Sequence, residues 1–114
     1  MKALLCKQHG LPDTLVYEDA PDPAPGPGQV VVDMQAAGVN FPDVLIIQNK
    51  YQFKPPLPFA PGSELSGIVS ATGPDVTHLK VGQRVLASSG HGAFAEKVLV
   101  NAARVIPIPD NVPY

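Results

Sequence analysis

The sequence predicts a mainly β domain, a barrel or sandwich of short strands with one short helix. Three observations carry that expectation. Short β-branched runs recur along the 114 residues, each closed by a turn signal at close spacing. The 14 prolines cluster between those runs, as expected of a residue excluded from helix interiors and central strands. Only one stretch, Pro42 to Gln48, has good helical character.

Taken in order, Lys2 to Cys6 and Thr14 to Glu18 read as a hairpin around Gly10 and Pro12. The proline cluster from Pro21 to Gly28 separates it from a Val-rich strand, Gln29 to Val39. In the helix, Pro42 suits a first turn and Asp43 suits the positive helix end. Ser63 to Thr72 alternates and is β-branched, and Gly73-Pro74-Asp75 ends it. Val81 to Ala87 and Ala93 to Val100 read as strands flanking Gly90-His91-Gly92, and Arg104 to Ile108 as a last short one. No internal repeat is visible.

Composition bounds the function classes. The length fits one domain with one core. Hydrophobic residues at 45% and charged residues at 16% suit a folded domain. Net charge is −2, and Lys and Arg are scattered singly, so no basic patch points to nucleic acid or a membrane surface. No apolar run approaches the ~20 residues of a membrane span, and the start has no signal-peptide pattern. Cys6 is the one cysteine. No intramolecular disulfide is possible, and the expected setting is a reducing cytoplasm with Cys6 as a buried inert thiol.

Four motifs stand in order along the chain: Gly38-Val39-Asn40-Phe41-Pro42-Asp43, Pro61-Gly62-Ser63-Glu64-Leu65-Ser66-Gly67, Val81-Gly82-Gln83-Arg84-Val85 and Gly92-Ala93-Phe94-Ala95-Glu96. With these, the chain resembles the N-terminal GroES-like catalytic domain of the medium-chain dehydrogenase/reductase superfamily. Within it, the chain is most similar to the zinc-free quinone oxidoreductases, the ζ-crystallin-like branch. The resemblance covers nearly the whole chain and implies a GroES-like, partly open β-barrel over residues 1–114. One departure is Gln83, where the family usually has Asp before Arg84; an altered turn contact is expected there.

The resemblance also implies a chemistry. The zinc-dependent alcohol dehydrogenases of this superfamily carry Cys at the Asn40 position and His at the Ser63 position. A catalytic zinc takes thiolate, imidazole or carboxylate donors, so an amide and a hydroxyl argue that no metal is held. His9, His78 and His91 lie far apart in sequence, with no ligand spacing. In the resembled family a separate Rossmann-type domain binds NADPH, and hydride passes to a quinone or an α,β-unsaturated carbonyl. By that resemblance Asn40 and Asp43 are the cofactor-binding residues, Asn40 bonding near the nicotinamide end and Asp43 starting the cleft-side helix, and Tyr51 is the catalytic residue, donating to the acceptor's carbonyl oxygen. Leu45 stands where some quinone reductases have a second Tyr, so the pocket is expected to be more apolar.

Each residue also has a plain structural reading. Asn40 suits a helix cap, Asp43 the helix dipole, and Tyr51 the packing of a loop. Glu64 reads as a half-buried, salt-bridged or hydrogen-bonded strand residue. His78 reads as a solvated turn residue. His91 reads as a loop histidine, with a cleft-lining position as the alternative. The glycines lack the strand, GxGxxG and helix context of a phosphate loop.

No dinucleotide-binding fingerprint or βαβ pattern occurs, so the chain reads as a fragment whose Rossmann domain lies elsewhere. Such a fragment is expected to leave an edge or apolar face uncovered and to self-associate as a homo-oligomer. Two other classes compete with the quinone or enone reductase. One is a stand-alone GroES-like binding module, disfavoured because Phe41 to Pro61 reads as helix and rigid loop and not as a long mobile loop. The other is a zinc alcohol dehydrogenase relative that has lost its metal.

Overall fold

A computed structural model describes residues 1–114. Its elements are β1 (Lys2–Leu5), a 3-10 turn (Pro12–Thr14), β2 (Val16–Asp19), β3 (Gln29–Gly38), α1 (Phe41–Ile46), β4 (Glu64–Thr72), β5 (Arg84–Ser88), β6 (Lys97–Asn101), a second 3-10 turn (Ala102–Arg104) and β7 (Val105–Pro107). Strands β1 and β2 form an antiparallel pair, and the other strands form a five-stranded sheet in the order β6-β3-β4-β5-β7. Its outer strands β6 and β7 do not pair with each other, so the sheet is not closed. The expected mainly β, partly open architecture with one short α-helix is therefore observed.

The core follows from the two-residue period of a strand, which sends alternate side chains to one face. Val30 and Val32 of β3, Leu65 and Val69 of β4, Val85 and Ala87 of β5, and Val98 and Val100 of β6 form one buried cluster. Val31 is buried as well, which makes β3 buried on both faces and explains its unbroken Val run. Gly67 permits the closest approach inside this sheet: a Cβ there would lie 2.0 Å from the Asp33 carbonyl oxygen.

A smaller cluster decides the site. Cys6, Ile46, Ile47 and Phe59 are buried together, with Leu15 and Tyr51 packed against them. It joins the end of β1 to α1 and to the proline loop. Backbone bonds between Cys6 and Phe59 run in both directions, at 2.7 and 3.2 Å. The helix, too short to be stable by itself, is thus held by tertiary contacts and by its ends. At its start the Asn40 N–H donates to Asp43 Oδ2 at 2.8 Å. At its finish Asn49 adopts a left-handed φ of 59°. The Lys50 N–H then reaches the Leu45 carbonyl at 3.0 Å and the Asn49 N–H reaches that of Ile46 at 3.3 Å, a Schellman closure.

Several boundaries differ from the sequence reading. Val81 to Gln83 form a turn and not a strand start, with Gly82 at φ 91°. The Gln83 side chain takes part in this turn: its Oε1 accepts the Lys80 N–H at 3.1 Å. The segment from Ala93 to Glu96 is not part of a ladder; it meets β1 at an isolated Ala3–Ala95 bridge and through the Glu96 side chain, which accepts the Lys2 N–H. A 3-10 turn takes up Arg104, so the last strand is Val105–Pro107. The helix begins at Phe41 and ends at Ile46, where the closure around Asn49 stops it.

Candidate functional site

An open cleft of about 590 Å³ lies beside α1. Pro42, Asp43 and Ile46 of the helix, Tyr51 to Phe53 after it, Ser63 before β4, and Ser89 to His91 after β5 all line it, with Asn101 and Arg104. Asp43 and Tyr51, far apart in character, are thus brought to one wall, and Ser63 joins them. Asn40 does not line the cleft; it caps the helix that does.

Each position has a local cause. Asp43 is 6% exposed and is the one buried charged residue. Its carboxylate accepts the Asn40 N–H, so the strand-to-helix joint and the cleft wall share one hydrogen bond. Tyr51 is half-buried against the Ile46, Ile47 and Phe59 cluster, which sets its ring, and it lines the cleft. Ser63 follows Gly62, whose φ of 96° turns the chain into β4. The Ser63 carbonyl accepts the Ser89 N–H at 2.8 Å, tying the two serine-bearing loops together.

The structure corrects two sequence readings. Glu64 is exposed and forms no salt bridge or side-chain hydrogen bond, because it starts β4 at its open end beside Gly38. His91 takes the cleft-lining alternative to a plain loop histidine: it borders both this cleft and a neighbouring cavity of about 500 Å³. Its ring packs 5.5 Å from Phe53 and edge-on to Phe59 at 6.0 Å. Burial in that setting holds the imidazole below its ordinary value. The aromatic packing that buries it was not legible in the sequence, because Phe53 and Phe59 reach His91 only once the proline loop folds over it. His78 is exposed as expected, with Nε2 3.2 Å from the Ala102 carbonyl oxygen. Cys6 is fully buried, and burial pushes its thiol upward, away from nucleophilic character.

No group of three or more His, Cys, Asp or Glu side chains is arranged to hold a metal ion. The cleft's size suits the reactive end of a nucleotide and a small acceptor, within the range of small-molecule sites. It does not suit a dinucleotide's phosphates: the one α-helix has 6 residues, and no strand–glycine loop–helix unit precedes it. No helix is long and apolar enough to cross a membrane.

A half-open antiparallel sheet, a capped short helix and a proline loop closing over a cleft define a domain type known from other proteins. The Alcohol dehydrogenase GroES-like domain matches residues 26–110, and this chain belongs to that family. Its relatives include quinone oxidoreductase-like members of the medium-chain dehydrogenase/reductase superfamily. It is 45% identical over 111 residues to quinone oxidoreductase-like protein 2 of Mus musculus, covering 97% of this chain and 31% of that protein. Among solved structures, a mycobacterial protein complexed with NADPH superposes with a TM-score of 0.91 at 38% identity, covering 99% of this chain and 35% of that one. The Escherichia coli quinone oxidoreductase complexed with NADPH gives 0.92 at 30% identity, covering 99% of this chain and 35% of that one. The chain therefore spans about a third of the length of the relatives it matches.

Proposed function

We propose that residues 1–114 form the substrate-side domain of a metal-free, NADPH-dependent quinone or enone reductase, completed by a separate Rossmann-type half. The observation that carries this reading is the cleft itself: Asp43, Tyr51, Ser63 and His91 converge there. Relatives named as quinone oxidoreductases or quinone oxidoreductase-like, and two solved neighbours complexed with NADPH, support it. NADPH, when held mainly by the other half, would supply the hydride.

This chain's residues do the positioning. Asn40 stands at the helix start, beside the cleft and not in its lining, and is given the nicotinamide end by the family resemblance, with Asp43 holding its backbone N–H. Tyr51, its ring fixed by Ile46, Ile47 and Phe59, donates to the acceptor's carbonyl oxygen. Phe53 supplies an apolar wall for a flat conjugated ring. A conjugated acceptor spreads the incoming charge onto oxygen, so a held geometry and hydrogen-bond donors suffice without a Lewis acid. Exposed Val39 and Phe41, 76% and 73% accessible, mark surface for another half or a second copy to cover. A cytoplasmic setting fits the buried free thiol.

The test follows NADPH absorbance with a quinone in the whole protein. Asn40→Ala is expected to weaken cofactor positioning and lower turnover, and Tyr51→Phe to cost less, because water can supply the final proton. Residues 1–114 alone are expected neither to bind NADPH appreciably nor to reduce quinones. Turnover by the isolated chain would defeat this division of labour, and unchanged kinetics in Asn40→Ala would leave Asn40 a helix cap only.

A further inference from the structure

His91 is the cleft residue with a buried ring nitrogen that the fold leaves without a hydrogen bond. Its Nδ1 is the only buried side-chain nitrogen or oxygen in the chain without a hydrogen-bond partner. Nε2, across the ring, makes no protein hydrogen bond and is not among the buried unpartnered atoms. A buried N–H without an acceptor is costlier and rarer than an unfilled acceptor. The proton is therefore assigned to Nε2, which makes the ring a neutral N–H donor on its less buried side. Phe53 and Phe59 fix the ring from two directions, and the chain turns around it through Gly90 and Gly92, with φ of 79° and 96°.

The surroundings favour a donor and not a charge. Asp43 from α1, Tyr51, and Arg104 from the second 3-10 turn line the same cleft. Lys97 of β6 lines the neighbouring cavity that His91 also borders. None of them pairs with His91, and desolvation lowers its basicity, so the imidazole stays neutral near pH 7. A neutral imidazole N–H in a half-dry cleft polarises a carbonyl without giving up its proton.

We propose that His91 contacts the substrate, its Nε2–H donating to a carbonyl oxygen of the conjugated acceptor and stabilising the negative charge that develops there. Tyr51 serves the same acceptor from the helix side, so a quinone with two carbonyls meets two donors. This rests on the reading of the cleft as the substrate side, and the test separates the two.

In the whole protein, His91→Phe and His91→Gln are compared with 9,10-phenanthrenequinone as acceptor. His91→Phe fills the same space between Phe53 and Phe59 without a donor. It is expected to lower kcat by at least about tenfold, less than loss of a lone oxyanion donor because a quinone shares its charge. The KM for NADPH should not move. His91→Gln, which keeps an N–H at the ε position, should recover part of the loss. Unchanged kcat in His91→Phe overturns the proposal, as does loss without recovery in a folded Gln variant. Long-range ¹H–¹⁵N spectra of residues 1–114 titrated with the same quinone give an independent reading. The expected result is a neutral Nε2–H tautomer whose Nε2 resonance moves on binding. An Nδ1–H tautomer, or an Nε2 resonance that stays still, overturns the contact. If the whole protein reduces no quinone, the functional reading fails, while the spectra still decide whether His91 meets a carbonyl ligand.

Discussion

Replacing Asp43 with Ala tests whether one hydrogen bond links the fold to the cleft. Asp43 is 6% exposed, and its Oδ2 lies 2.8 Å from the Asn40 N–H. That N–H belongs to the cap of a helix of 6 residues, which has little stability of its own. A hydrogen bond to a charged group is worth about 1.5–3 kcal/mol, and loss of a helix-start contact alone typically costs about 1 kcal/mol. Taking about 2 kcal/mol and a urea slope of about 2 kcal/mol/M, the unfolding midpoint should fall by about 1 M. Asp43→Asn keeps an acceptor oxygen without the charge and should lose about half as much. Urea unfolding followed by circular dichroism measures both, with the slope expected to stay constant. The Tyr51 and His91 resonances should also move in Asp43→Ala, since the helix that carries the cleft wall is loosened. An unchanged midpoint would refute the argument, because the buried carboxylate would then be doing nothing for the helix start.

Three further predictions follow from the same geometry. Gly67→Ala would place a Cβ 2.0 Å from the Asp33 carbonyl oxygen, and the rigid β3–β4 ladder cannot yield; a loss of about 3 kcal/mol in urea unfolding is expected, and a neutral result would mean the strands separate easily. Burial holds His91 below its ordinary 6.5, so the unfolded chain protonates first as pH falls; its stability contribution is complete above that value and lost as pH drops through the folded one. Unfolding at a series of pH values should show that slope in the native chain and lack it in His91→Gln. Elemental analysis after dialysis should find no stoichiometric zinc, since no cluster of three metal-binding side chains exists; one tightly held zinc per chain would contradict the donor argument.

Strand positions were legible wherever burial and period agreed. The Val30, Val32, Val98 and Val100 positions read as strand and form the core. The reading failed where apolar residues are buried by distant backbone instead of by a ladder. Ala93 and Phe94 look like a strand start, yet their N–H groups bond to Gly62 and Pro61, both at 3.0 Å. Val81 failed for the opposite reason: it is 64% exposed in a turn set by Gly82. At the site, Asp43 was legible from helix-start chemistry and Tyr51 from resemblance. The weight of His91 was not, because it depends on a proline loop that closes from more than thirty residues away in sequence, at Phe53 and Phe59. Glu64 misled because alternation does not say where a strand's open end lies.

The central claim is that this domain holds a conjugated carbonyl acceptor for hydride from a nicotinamide. The most direct measurement uses the whole protein with NADPH deuterated at the transferable C4 position and an α,β-unsaturated ketone. Mass spectrometry and NMR of the product then locate the label. The account predicts one deuterium at the β-carbon, consumption of NADPH in equal amount, and no loss of activity after treatment with a metal chelator. A saturated ketone without deuterium, or NADPH left unconsumed in the presence of quinones and enones alike, would contradict it.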